Sequence, residues 1–418
     1  MKKTICLALG TLLLLLTACG TNGQGTDSSL DSSNGNGTIS ASQSTTAVEV
    51  LNINDQEQFG SEVRYEVSYR LNSDDTTQHG YMDASGVITT EAPQAPYENS
   101  GSSFVIYDEN GNETYSSPSG EYWQIEGSTD NNVYLVQQLR SGLDESATYV
   151  GLMDETGNWL YGEPVNVTQL TGIQLLQAGR SENLGENMLS VCCAEAHGNY
   201  LVLFNGETGN YTLINDVRNQ DLAFYSGTMI FQHWDGGTSG GDLGDICSVD
   251  KSGNITTLST EGELLRTGAN GFLTSANGLS FYNNQGQLIW SFQEYPLSDG
   301  FTPILYDDMV FAHVTGADGN SYIACISQSD GTLVYEPIRD SHNYIYQHYI
   351  LTEISDANCF VDLLTGETLA TLQDDFDLDE VEYYDQGLYA VKLRESGENS
   401  YLFYDFTGNR VTPGVVEE

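Results

Sequence analysis

Lysine is nearly missing from this 418-residue chain, which carries it only at Lys2, Lys3, Lys251 and Lys392. Arginine brings the basic residues to 13, against 59 acidic ones, for a formal net charge of −46. So acidic a chain is repelled by phosphate backbones and anionic lipid headgroups, which excludes nucleic acid and a charged membrane surface as electrostatic partners. The same charge admits a cation or a basic partner, and it fits plain solubility in a salty exterior. Proline is scarce at 8 and tryptophan at 4. Cysteine offers no complete disulfide framework: after Cys6 and Cys19 an odd set remains, Cys192, Cys193, Cys247, Cys325 and Cys359. Most of these lie in apolar runs such as Tyr322-Ile323-Ala324-Cys325-Ile326, where a thiol behaves as a small hydrophobe. A vicinal redox pair at Cys192-Cys193 is the alternative. No Cys/His spacing fits a zinc site, so neither a metal nor another cofactor is expected.

Long apolar runs are absent except at the N-terminus. There Lys2-Lys3 precede a run from Ile5 to Leu16, interrupted at Gly10 and Thr11. At roughly 12 residues it falls short of the about 20 that a spanning helix needs, and has the length of a signal-peptide core. Leu16-Thr17-Ala18-Cys19-Gly20 follows and resembles the bacterial lipobox. The resemblance implies cleavage before Cys19 and a diacylglycerol on its sulfur. Such a lipid is a firm anchor because two acyl chains hold where one is marginal. Residues 20–47 are mostly Gly, Ser, Thr, Asn and Gln, too polar to offset their ordering entropy, and are expected to form a tether. The expected organisation is thus a signal peptide over 1–18, a tether over 19–47 and a folded domain over 48–418.

What is abundant is tyrosine, at 26, and glycine, at 44. Short alternating or β-branched runs fill the chain, and no segment keeps a 3.6-residue apolar period over three turns, which predicts an all-β fold. One unit recurs: an apolar strand, a polar turn ending in Gly, and a second strand. It occurs at Gly151-Leu-Met-Asp-Glu-Thr-Gly157-Asn-Trp159 and at Val202-Leu-Phe-Asn-Gly-Glu-Thr-Gly209, and again around Gly253, Gly286, Gly331, Gly366 and Gly408. Earlier copies end at Gly86 and Gly111. Asp or Asn opens the turn by bonding its own backbone two residues on, and Gly closes it with a left-handed residue that suits hairpin twist. Steps of 52, 44, 33, 45, 35 and 42 residues separate Gly157 from Gly408. These average close to the length of a four-stranded propeller blade, about 40–45 residues. Seven blades are expected over 121–411 and one irregular blade over 48–116, making eight, with seven as the alternative. Within one unit the four strands are placed at Phe301–Leu305, Met309–Val314, Tyr322–Ile326 and Thr332–Tyr335.

Asn283 to Trp290 and Asp362 to Leu369 resemble the pyrroloquinoline-quinone-like repeat, while Gly151 to Trp159 and Gly80 to Gly86 resemble the WG-type repeat of bacterial surface proteins. Either resemblance implies a β-propeller with a scaffold or binding role.

Candidate sites are few. His233-Trp234-Asp235 and Asp242 flank a glycine-rich segment, taken as a loop inserted after a strand ending near Gln232. An aromatic with acidic neighbours on such a loop suits sugar stacking or a cationic ligand, and the glycines suit a plain flexible loop as well. Asp108-Glu109-Asn110 opens like a calcium loop, but the sixth position is Glu113 and the twelfth Ser119, so a hairpin turn is expected instead. The acidic run Asp374–Glu380 is expected to be a solvated connection, and His342–Tyr349 blade packing. No nucleophile elbow occurs, and among 59 acids no catalytic pair can be chosen from sequence. The expected role is a lipid-anchored, extracytoplasmic propeller, monomeric, binding a protein or polysaccharide. The alternative is a glycan-active enzyme with acidic residues in its central channel.

Overall fold

The computed structural model describes residues 45–416, apart from 60–61, 72–75, 93–94, 109, 120, 130, 142–145, 172–180, 196–197, 219–221, 236–241, 260, 277, 299, 341–344, 373–380, 385–387, 396–397 and 406. Cys19, the signal peptide, nearly all of the expected tether and the acidic run Asp374–Glu380 lie outside these residues, as do the side chains of Cys192 and Cys193.

Nine sheets follow one another in chain order among the described residues, all antiparallel but for one parallel pair in the first, with a single five-residue helix at Val167–Thr171. Sheet 1 holds Thr45–Phe59, Glu62–Leu71, Thr77–Met82 and Val87–Thr89. Sheet 2 holds Tyr97–Ser100, Ser103–Tyr107 and Glu113–Ser116. Sheets 3 to 9 occupy 123–166, 181–214, 224–259, 264–292, 304–339, 349–371 and 381–411. Seven sheets thus occupy 121–411, six of them four-stranded as expected and the one over 349–371 three-stranded, whereas 45–116 holds two sheets where one was expected. The first strand also starts at Thr45, slightly before the expected boundary at 48.

The first and last described strands meet. Thr46 pairs with Val415 and Ala47 with Gly414, while Val415 runs parallel to Ile88, so the last strand, Gly414–Val416, closes sheet 1 into a five-stranded barrel. Sheet 9 packs on sheet 1 through Leu388, Ala390 and Phe403 against Val50, Val67 and Tyr69. From the second sheet to the ninth, each also shares a core with the next: Phe104 and Ile106 with Trp123 and Val136, Leu135 with Leu189, Phe231 with Leu203, Ile230 with Phe272, Phe281 with Val310, Ile323 with Ile350, and Phe360 with Tyr404. Sheets stacked face to face in this order, the ninth returning to the first, make a β-propeller. Burial explains a local pattern: Val310–Val314 are buried without a break, because a sheet held between two neighbours needs apolar residues on both faces. Gln232, 1 % exposed, is polar in such a strand only because every polar atom is used. Its amide donates to the Gly244 and Gly262 carbonyls of sheets 5 and 6, and it accepts from the Leu264 N–H.

The repeated turn behaves as expected locally and does more. Asp154 Oδ1 accepts the N–H groups of Thr156 and Asn158, both at 2.9 Å, and Asp250 and Asp405 repeat the arrangement. Asp108 bonds Asn110 and Asn112 in the same way, so that segment is a hairpin turn, as expected. The closing glycine, at positive φ, also rests on the outer strand of the preceding sheet. A Cβ on Gly157 would lie 2.0 Å from the Tyr115 ring, and one on Gly331 2.7 Å from Trp290. The same contact joins sheet 9 to sheet 1 through Val411 and Gly86. The turn glycine is thus the interlock between sheets.

Sheet 7 departs from expectation at both ends. Its first strand is Ile304–Tyr306, and Thr332–Tyr335 makes only an isolated bridge through Leu333, the fourth strand forming at Ile338–Arg339. Tyr335 turns inward, its hydroxyl donating to the Leu363 carbonyl and its ring packing on Gly366 of sheet 8.

The turn carboxylates set an acid limit on stability. Asp250 is held below the ordinary carboxyl range, first by the Asn254 side-chain amide and then by backbone N–H groups. Burial pushes Asp154 and Asp405 up, but their hydrogen bonds outweigh it and both lie below that range. A carboxyl easier to ionise when folded contributes fully above its ordinary value of 3.8, and the contribution disappears as pH falls through the depressed folded value. Thermal unfolding by circular dichroism between about pH 4.5 and 2.5 is expected to show a steeper loss of Tm for the wild type than for Asp250→Asn. The variant keeps an acceptor oxygen without the charge, so equal slopes would contradict this assignment.

Candidate functional site

Strands alternate in direction, so the turn between the first and second strands lies at the same end of each four-stranded sheet as the glycine turn between the third and fourth. At this end, the turn face, Asn132, Glu186, Asn187, Ser226 and Asp307 have positive φ, between 48° and 62°, in the first turns of sheets 3, 4, 5 and 7, and Gln347 has φ 53° in the bridge-closed turn just before sheet 8. Tyr122, Tyr161, Asp216, Ser355 and Asp356 also have positive φ, outside these turns. A left-handed residue other than glycine costs roughly 1–2 kcal/mol, less for Asn and Asp.

Neighbouring first turns are tied together. Asn131 donates to Asn187 Oδ1 at 2.9 Å, and Glu186 accepts the Gly227 N–H at 2.9 Å and pairs with Lys251 at 3.2 Å. Between sheets 5, 6 and 7 the turns part around a recess of about 550 Å³, lined by Tyr225, Thr267–Asn270, Leu305, Asp307, Asp308 and Gln328. Gln328 holds its floor. The Gln328 amide donates to the carbonyls of Asp307 (2.8 Å) and Met309 (2.9 Å), and its oxygen accepts from Asn270. The Gln328 carbonyl in turn accepts the Trp290 indole N–H at 2.8 Å. Asp307 and Asp308 are exposed at the mouth, and among the described residues neither carboxylate has a hydrogen-bond or ion-pair partner.

Beside the recess, His348 packs its ring 4.8 Å from Tyr306 and 3.8 Å from Tyr349, with Nε2 3.9 Å from Asp362 Oδ1. Burial lowers its pKa, against the opposing pull of Asp362 and Asp307. Burial raises the Tyr306 and Tyr349 hydroxyls, with help from Asp307 and Asp362 at Tyr306 and from Asp362 and Tyr306 at Tyr349. Deeper between sheets 7 and 8, burial pushes the Cys325 thiol up to about 11, which removes it as a nucleophile.

The expected loop residues lie elsewhere. His233 and Trp234 belong to the strand Thr228–Asp235, which continues past Gln232 with a register shift at His233, and Asp235 pairs directly with Asp242. His233 bonds the Asn215 carbonyl through Nδ1 and meets Phe231 edge-on at 5.1 Å, a packing role. The strand starts at the turn face, so these residues sit about 20 Å away at 3.3 Å per residue, toward the opposite end. The side chains of Asp235 and Asp242 lie outside the described residues. In the segment His342–Tyr349, residues 342–344 lie outside them too, and His348 packs among tyrosines.

Sequence reasoning missed Tyr225, Asp307, Asp308, Gln328 and His348. One signal was available. Tyr225, Tyr306 and Tyr346 each stand three residues before their pairing partners Thr228, Met309 and Tyr349, marking equivalent first turns in sheets 5, 7 and 8.

No family model and no curated protein matches the chain. Among solved structures, it is similar to one described as a eukaryotic initiation factor, at 13% identity and TM-score 0.44, over 90% of this chain and 98% of that one. Apo AztD from Citrobacter koseri is similar at 12% identity and TM-score 0.35, over 76% and 92%. The β-propeller domain of the Trilobed protease from Pyrococcus furiosus is similar at 11% identity and TM-score 0.32, over 88% and 96%. The fold rests on the chain's own strand order and closure.

Proposed function

We propose that this chain is a lipid-anchored, extracytoplasmic binding module, a propeller of nine blades that contacts a partner protein through its turn face. The recess among three successive first turns carries the reading, because it offers unpaired carboxylates beside Tyr225 on a rigid, multiply bonded frame. Nine blades are favoured over eight because Gly86 rests on Val411 as the later turn glycines rest on their predecessors. The anchor follows from Lys2-Lys3, the apolar run and Cys19. The glycan-enzyme alternative calls for converging carboxyls with one strongly raised. Burial does raise Glu126, but that residue is in sheet 3, apart from Asp307 and Asp308 in sheet 7.

Photo-crosslinking on intact cells tests this, with benzoylphenylalanine at Tyr225 or at Trp234 of the full chain. A discrete adduct from position 225 and none from 234 is expected. The reverse pattern would move the site to the opposite end, and turnover of a glycan panel by the purified chain would replace binding with catalysis. Cys19→Ala is expected to shift the protein from the membrane to the soluble fraction with loss of acyl label. Retention of that label would disprove the anchor site.

A further inference from the structure

We draw no further inference here: the strongest candidate, the His313–Asp340 side-chain pair buried in sheet 7 beneath the Phe301 ring, carries nothing, because the pair serves the packing of its own sheet and nothing in the structure shows what the imidazole would bind.

Discussion

Gly286→Val is expected to lower stability by about 3–4 kcal/mol, combining the strain of a β-branched left-handed residue with overpacking. Gly286 has φ +74°, and a Cβ there would lie 2.6 Å from the Leu258 carbonyl oxygen of sheet 5. That neighbour is backbone in a paired strand, so it cannot swing aside as a side-chain tip would. Gly319 supplies the control. It has φ +80° in a turn with nothing within 4 Å of its would-be Cβ. Gly319→Ala should therefore cost only the conformational term, about 1 kcal/mol. Urea unfolding midpoints at constant m-value measure both. Similar losses would mean that the glycine serves its own hairpin alone and does not lock one sheet to the next.

Trp290→Ala is the second large effect, with an expected loss of about 3–5 kcal/mol, as for a buried aromatic removed without collapse of the cavity. Trp290 is 7 % exposed, stacks on Phe281 at 5.5 Å, covers Gly331 and donates its indole N–H to the Gln328 carbonyl. Trp290→Phe keeps the stacking and drops the hydrogen bond, and should cost less, about 1–2 kcal/mol. Because Gln328 holds the carbonyls of Asp307 and Met309, loss of the indole should also slacken the recess. A urea midpoint within about 1 kcal/mol of wild type would show that the ring is not a pillar between sheets 6 and 7.

The all-β class, the hairpin turns and the seven units over 121–411 were legible because each depends on local chemistry: an Asp or Asn that bonds its own backbone, a glycine at positive φ, and apolar runs of strand length. Residues 45–116 misled because sheet 2 has only three strands, which brings Gly86 and Gly111 close in sequence and makes two sheets look like one. Thr332–Tyr335 looked like a strand by composition, yet Tyr335 has a better partner in the Leu363 carbonyl of the next sheet. His233 and Trp234 were placed on a loop because glycines follow them, whereas the ladder extends through Asp235 and Asp242.

The sequence by itself determined where the chain turns, which residues are apolar enough to be covered, and that few cations of its own are present to neutralise its acids. Only the tertiary structure decided that the turn glycines interlock neighbouring sheets and that Tyr225, Asn270 and Asp307 surround one recess. The physical reason is distance along the chain. A turn is fixed by hydrogen bonds over four or five residues, while the recess joins residues some eighty positions apart that meet only when separate sheets stack.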